Sequence, residues 1–293
     1  MQTVLRALFL LLGYLPLAVL HLLGAALGRL LWWLPNGLRR ITELHLARCL
    51  PELDDAARSR IARASLIESA KAVLEAPAIW YGPLARRRRW LAAPAALATI
   101  CAAQKQGKGV ILLTPHQGAW ELASFFCAQA APITVLFKPQ KGAADALIRA
   151  GRGRGAPVTP VPTTGAGVKA LLAALKRGEL VGILPDHDPP ESSGTAFVPM
   201  FGIPANTMDL VTKLAARSGA SVLLIVAERL PAARGFRFHL WPAPADIADA
   251  ATGPAVMNAA VETCVRAFPE QYWWSYKRYR RRPPGEPDFY RSL

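Results

Sequence analysis

Acidic residues are scarce in this chain. Aspartate and glutamate number 20 against 35 lysines and arginines, a formal net charge of +15 over 293 residues, and the sequence pI is near 10.3. So basic a surface needs an acidic partner: nucleic acid, an anionic membrane, an acidic protein or a phosphorylated substrate. Cysteine is scarcer still. Cys49, Cys101, Cys127 and Cys264 lie far apart, which excludes a disulfide framework and a zinc-ligand spacing and points to a reducing compartment. No internal repeat breaks the chain into a solenoid, and the proline- and alanine-rich stretch 242–249 reads as a surface connection. Charge of either sign is missing from Ala7 to Gly28, a run of 22 residues.

Apolar residues are abundant. The hydrophobic fraction is 52% and the mean hydropathy +0.21, high for a soluble nucleic-acid binder, so no nucleic acid is expected and a membrane is. The uncharged run is long enough to cross a hydrocarbon core, with Arg6 before it, Arg29, Arg39 and Arg40 after it, and Trp32 and Trp33 where an aromatic belt falls. A cleaved signal peptide is the rival reading, but its apolar region should be shorter, and the leucines and tryptophans at 30–34 make a poor cleavage context. Pro16, His21 and several glycines interrupt the run, so a helix lying in the interface stands beside a spanning one. The expected domains are an anchor over 1–34 and a cytoplasmic domain over 35–293, the greater positive charge after the run placing the bulk inside.

Helices are expected over 41–50, from an Asp54 or Ser59 cap to Trp80, and over 95–106. From there strand and helix patterns alternate. Strands read at 109–113, 133–137, 157–161, 180–184 and 221–227, with an edge strand at 236–241. Helices read at 119–131, 143–150, 167–177, 207–218 and 255–268. This is an α/β fold, a central mixed sheet flanked by helices with an N-terminal membrane helix.

The strand end at 109–113 leads into a turn holding Pro115, His116 and Gly118, with Glu121 in the helix that follows. Ligands of open α/β sheets bind at such carboxyl ends. Five residues apart on a regular helix, His116 and Glu121 would face different ways, so they pair only if His116 sits in the turn itself. In that geometry the carboxylate fixes the imidazole tautomer for acid–base chemistry. On spacing alone a structural histidine fits as well. Arg86, Arg87, Arg88 and Arg89 form either a solvated face or an anion-binding patch, and Lys277, Arg278 and Arg280 sit in a basic, aromatic-rich stretch near the C-terminus. Asp186, His187 and Asp188 follow another strand end. Alternating in a tight turn they do not suit three ligands on one ion, so no metal is expected. The apolar stretch 197–202 is either a groove wall or ordinary core.

The His-x4-Glu spacing after an apolar strand resembles the signature of glycerolipid-type acyltransferases. The wider pattern resembles the lipid A lauroyl/myristoyl acyltransferase family, late acyltransferases of bacterial endotoxin synthesis. It includes the apolar N-terminus, the glycine–arginine alternation from Gly151 to Gly155, blocks 184–188 and 197–202, Thr207, and blocks 216–219 and 269–277. Many relatives carry Asp-Gln where this chain has Asp186-His187. The resemblance implies a membrane-bound O-acyltransferase at the cytoplasmic side of the bacterial inner membrane. It would move a fatty acyl chain from acyl carrier protein to the 3-hydroxyacyl hydroxyl of a phosphorylated glycolipid, the lipid A precursor, with no cofactor. His116 would be the base, Glu121 its partner, Arg154 or Arg152 the oxyanion stabiliser, and Asp186 a substrate-placing residue. The two arginines fit equally well as solvent-facing residues or as ligands of a lipid phosphate. Two alternatives stay open: another lipid acceptor (an aminolipid, glycolipid or aryl-polyene-type lipid), or a non-catalytic protein binding anionic lipid.

Overall fold

The computed structural model describes residues 2–139, 142–190, 194–291 and 293. Six helices come first: α1 Gln2–Tyr14, α2 Leu17–Trp33, α3 Gly37–Cys49, α4 Asp55–Tyr81, α5 Leu84–Trp90 and α6 Pro94–Gln104. The uncharged run is therefore two helices, not one. Pro16 has no N–H to continue the ladder, and the axes of α1 and α2 bend by 116° there. Among the described residues no single helix is long and apolar enough to cross a membrane, although by length and composition the bent pair α1–α2 passes that test together. Both helices pack along α4. Its cap is Asp54, whose carboxylate accepts from the Ala57 N–H, as its place before the apolar stripe predicts.

The remaining elements are β1 Val110–Leu113, α7 Trp120–Cys127, β2 Ile133–Phe137, α8 Ala143–Arg152, β3 Val158–Pro162, α9 Gly165–Lys176 and β4 Leu180–Ile183. After them come β5 Thr195–Met200, β6 Ile203–Met208, α10 Leu210–Ser218, β7 Ser221–Arg229, β8 Phe236–Pro242 and α11 Gly253–Ala267. Six strands make one sheet in the order β3-β2-β4-β1-β7-β8, parallel except for the antiparallel edge strand β8. β1 and β4 are buried along their whole length, as strands covered by helices on both faces must be. The sheet is mixed and flanked by helices, as the alternation of patterns predicts.

The hairpin β5–β6 lies outside that alternation. Its two-residue turn, Phe201–Gly202, has positive φ at both positions (52° and 72°), the primed turn that matches strand twist. Thr207, expected at the start of a helix, is in β6, and the helix begins at Leu210. Phe201 is buried in the main core while Phe197 is exposed.

Candidate active site

Register builds the site. β1 and β4 are neighbours with Leu113 opposite Ile183, so the residues three beyond each strand end, His116 and Asp186, leave adjacent carboxyl ends together. His116 Nδ1 lies 2.8 Å from Asp186 Oδ1, and the His116 backbone N–H donates to Asp186 Oδ2 at 2.8 Å. An ionised carboxylate only accepts, so Nδ1 carries the proton and Nε2 keeps its lone pair. Asp186 is buried. Burial acts to raise its pKa, but the facing His116 ring, the His116 N–H and His187 outweigh it and hold the carboxyl below the usual carboxylate range.

The carboxylate on His116 is thus not Glu121. Glu121, on the first turn of α7, accepts from the Trp80 indole at 3.0 Å and from Arg152 Nε at 2.9 Å, with a second bond from Arg152 Nη2. Trp80 ends α4 and Arg152 ends α8, so this fork joins three helices beside the cavity. Of Arg152 and Arg154, it is Arg152 that reaches the cavity lining. Arg154 turns away: its Nη1 donates to the Gly82 and Trp80 carbonyls at the end of α4 (3.2 and 3.5 Å), and the cavity lining does not include it. The preference for Arg154 beside an oxyanion is corrected accordingly.

His187 lies face to face with His116, ring centroids 4.0 Å apart and planes 24° from parallel, and packs on Tyr276 at 4.6 Å. Burial first, then the neighbouring His116, pushes its pKa down to about 3, so it is a neutral ring at working pH. Asp188 goes elsewhere, accepting from Asn206 and Arg281 at 2.8 Å each. The three polar residues of 186–188 therefore serve three different contacts.

Backbone holds the turn. Gly118 has φ +59°, and a Cβ there would run into the Ala227 carbonyl; only glycine allows that approach. The Gly118 N–H donates to Gln271 O (2.9 Å), the Ala119 N–H to Ala227 O (2.8 Å), and the Trp273 N–H to His116 O (3.0 Å). Gln117 is buried and donates to the carbonyls of Cys264 and Phe268 at 2.9 Å each. Beneath the turn, buried Arg229 donates to Glu75 from Nε (2.9 Å) and Nη2 (2.5 Å), to Glu68 from Nη1 (2.6 Å) and to the Gly118 carbonyl at 3.2 Å. Glu75 also meets His21 of α2 at 2.8 Å.

His116 opens on a cavity of about 810 Å³. Strands and α7 give it Leu112, Ala123, Cys127, Ile133, Val135 and Gly182; loops and helix ends give His187, Lys138, Arg152, Lys213, Tyr276, Arg280 and Arg281. Such a lining suits an amphiphile with a long apolar part and an anionic head.

The arginine run divides. Arg88 and Arg89 are exposed, whereas Arg87 is buried, stacked over Phe125 at 4.0 Å and bonded to the Ile79 and Arg154 carbonyls. Burial lowers its pKa to about 10. Arg86 donates to the Leu15 and Gly13 carbonyls at the α1–α2 bend. Arg86 and Arg87 are therefore internal ties, a correction to a four-arginine surface patch. Arg278 is corrected likewise: it is buried, donating to Asn206 O and Thr207 Oγ1 (2.6 and 2.9 Å). Lys277 sits over the Tyr290 ring at 5.0 Å, and Arg280 is exposed at the cavity.

A half-buried histidine on a buried aspartate at neighbouring strand ends, opening on a part-apolar, cationic cavity, is an arrangement suited to acid–base chemistry on an amphiphilic anion. Residues 3–281 match the family model for bacterial lipid A biosynthesis acyltransferases, and the chain belongs to that family. It is 30% identical over 281 residues to the lipid A biosynthesis lauroyltransferase of Escherichia coli (strain K12), covering 94% of this chain and 90% of the relative. Identity to the lipid A biosynthesis palmitoleoyltransferase of the same organism is 27%, with the same coverage. A lipid A biosynthesis acyltransferase of Haemophilus influenzae is 27% identical over 186 residues, 63% of this chain and 58% of the relative.

Proposed function

We propose that this chain is a late lipid A acyltransferase that moves a fatty acyl group from an acyl carrier protein thioester to the hydroxyl of a 3-hydroxyacyl chain on a lipid A precursor. The His116–Asp186 pair at the cavity carries the reading. Nε2 of His116 takes the acceptor proton as the hydroxyl oxygen attacks the thioester carbonyl carbon, since a secondary alcohol is too weak a nucleophile unaided. Asp186 steadies the imidazolium that forms. Negative charge on the carbonyl oxygen is met by the positive field of Arg152, which Glu121 and Trp80 hold in place. Collapse breaks the carbon–sulfur bond, and the departing thiolate takes the proton from Nε2. Transfer is direct, with no acyl-enzyme and no cofactor. The donor protein is acidic and cytoplasmic, which suits a net charge of +15 and a domain on the inner face of the inner membrane.

The test is mass spectrometry of products from a diphosphorylated tetra-acyl disaccharide lipid supplied with dodecanoyl, tetradecanoyl or hexadecanoyl carrier protein. The wild-type chain adds one acyl group. His116→Ala lowers turnover by about 10²–10⁴, and undiminished product from that variant overturns the mechanism. Tight lipid binding with no product from any donor would make the chain a binding protein.

A further inference from the structure

The exposed large apolar side chains are gathered at one end of the chain. Of 16 among the described residues, 13 lie between Val4 and Leu38. α2 has two faces. Leu17, Leu20, His21, Gly24, Ala25 and Gly28 recur at helical spacing and are buried, while Leu22, Leu27, Leu30 and Trp33 stay 41–72% exposed. The buried face is fitted closely to α4: a Cβ on Gly24 would lie 2.7 Å from the Lys71 Cα, and one on Gly28 would meet the Ile67 backbone. Small residues at this spacing are what allow two helix backbones to touch.

This packing leaves no straight helix long enough to span by itself. At 1.5 Å per residue, α1 and α2 are about 20 and 25 Å long, short of the ~30 Å hydrocarbon core, and they meet at a 116° bend. Arg86 ties that bend through the Gly13 and Leu15 carbonyls. His21 is buried on Glu75, itself bound to Arg229, and drawing α2 into a bilayer would break this group. The charge around the exposed face has one sign. Arg6, Arg29 and Arg40 are exposed, and no acidic residue precedes Glu43.

We propose that α1 and α2 lie flat in the surface of an anionic bilayer as one bent element, apolar face toward the acyl chains, and do not cross it. Lipid is the occupant because the free face is both apolar and acid-free, the pattern of an interfacial helix. The choice of a bacterial inner leaflet rests on the acyltransferase reading; the docking does not.

The test uses the full chain with Cys101→Ala, which leaves only the buried Cys49, Cys127 and Cys264, and one introduced cysteine at Val4→Cys, Tyr14→Cys, Leu27→Cys or Trp33→Cys labelled with a fluorophore. Sealed vesicles of phosphatidylglycerol and phosphatidylethanolamine carry quenchers at shallow or deep acyl positions, with no donor or acceptor lipid added. An in-plane element gives all four labels similar shallow quenching from the side to which protein was added. A label depth that peaks mid-segment, with Val4→Cys reachable only from the far side, overturns the proposal. So do labels that are shielded without quenching while crosslinking traps a dimer, because a second copy then covers the face. The double variant Leu22→Glu, Leu27→Glu should float with vesicles at least tenfold less, at an unchanged unfolding midpoint; undiminished flotation is contrary. In-plane vesicle binding here, together with no product from any donor in the separate mass-spectrometric assay, would sink the enzymatic reading and leave this one standing.

Discussion

His116 and Asp186 share a proton in an arrangement that a single atom exchange can undo. Asp186→Asn keeps the volume but offers Nδ1 a donor where it needs an acceptor, so the wrong tautomer is selected. Turnover should fall by about 10²–10⁴ with KM for the lipid little changed, measured as initial rates over a range of acceptor concentrations. Glu121→Gln should behave differently. It weakens the fork that holds Arg152 without touching the imidazole, so the rate drops while the lower limb of the pH–rate profile stays where it was. A shift of that limb in Glu121→Gln, with none in Asp186→Asn, would reverse the assignment. Arg229 is a residue of the interior in the same sense. Arg229→Met leaves Glu75, buried to 1% exposure, without its guanidinium, a loss of roughly 3–5 kcal/mol for a broken buried pair. Urea unfolding measures it, and a cost under about 1 kcal/mol would mean that water or His21 replaces the arginine.

Among the elements, the α2–α4 contact makes its own prediction. Gly28→Leu forces a side chain into the Ile67 backbone, an overpacking that costs about 1–3 kcal/mol or more; the exposed change Ala26→Leu on the same helix should cost almost nothing. Differential calorimetry on the two variants tests the contrast. The strands β1, β2, β4 and β7 were readable as short apolar runs between breakers, and the turn after β1 as a place for chemistry. What stayed hidden was pairing across distance. Asp186 lies 70 residues from His116, and only the order of strands brings them side by side, whereas Glu121 is near in sequence but pairs with Arg152. The hairpin carried no Asn-Gly signal, and the opposed Pro199 and Pro204 argued against strands. The charge-free run was legible as apolar, but Pro16, placed where it leaves two short helices, decides the geometry. The division of the arginine run into buried and exposed members depends on carbonyls supplied by other elements, which no local pattern records.

The molecule as a whole should be acid-sensitive well above the carboxylate range. His45 is 2% exposed, its Nδ1 2.5 Å from Trp274 O and its Nε2 2.7 Å from the Tyr290 hydroxyl. Burial lowers its pKa from 6.5 to about 4. The unfolded chain therefore takes up a proton at this site before the folded one does, and stability falls as pH drops from 6.5 toward 4. Between pH 7 and pH 5 the loss is about 2 kcal/mol for His45, and His187 acts in the same direction. Urea midpoints at the two pH values measure it, and an unchanged midpoint would place His45 as already charged in the fold. His45 also marks how the fold closes, because its partners Trp274 and Tyr290 belong to the same stretch that supplies Gln271 to the Gly118 N–H and Trp273 to the His116 carbonyl. During synthesis, every strand of the sheet leaves the ribosome before that stretch does. A nascent chain can thus assemble its sheet with the histidine turn still unclamped, and activity arrives only when these late-made residues dock.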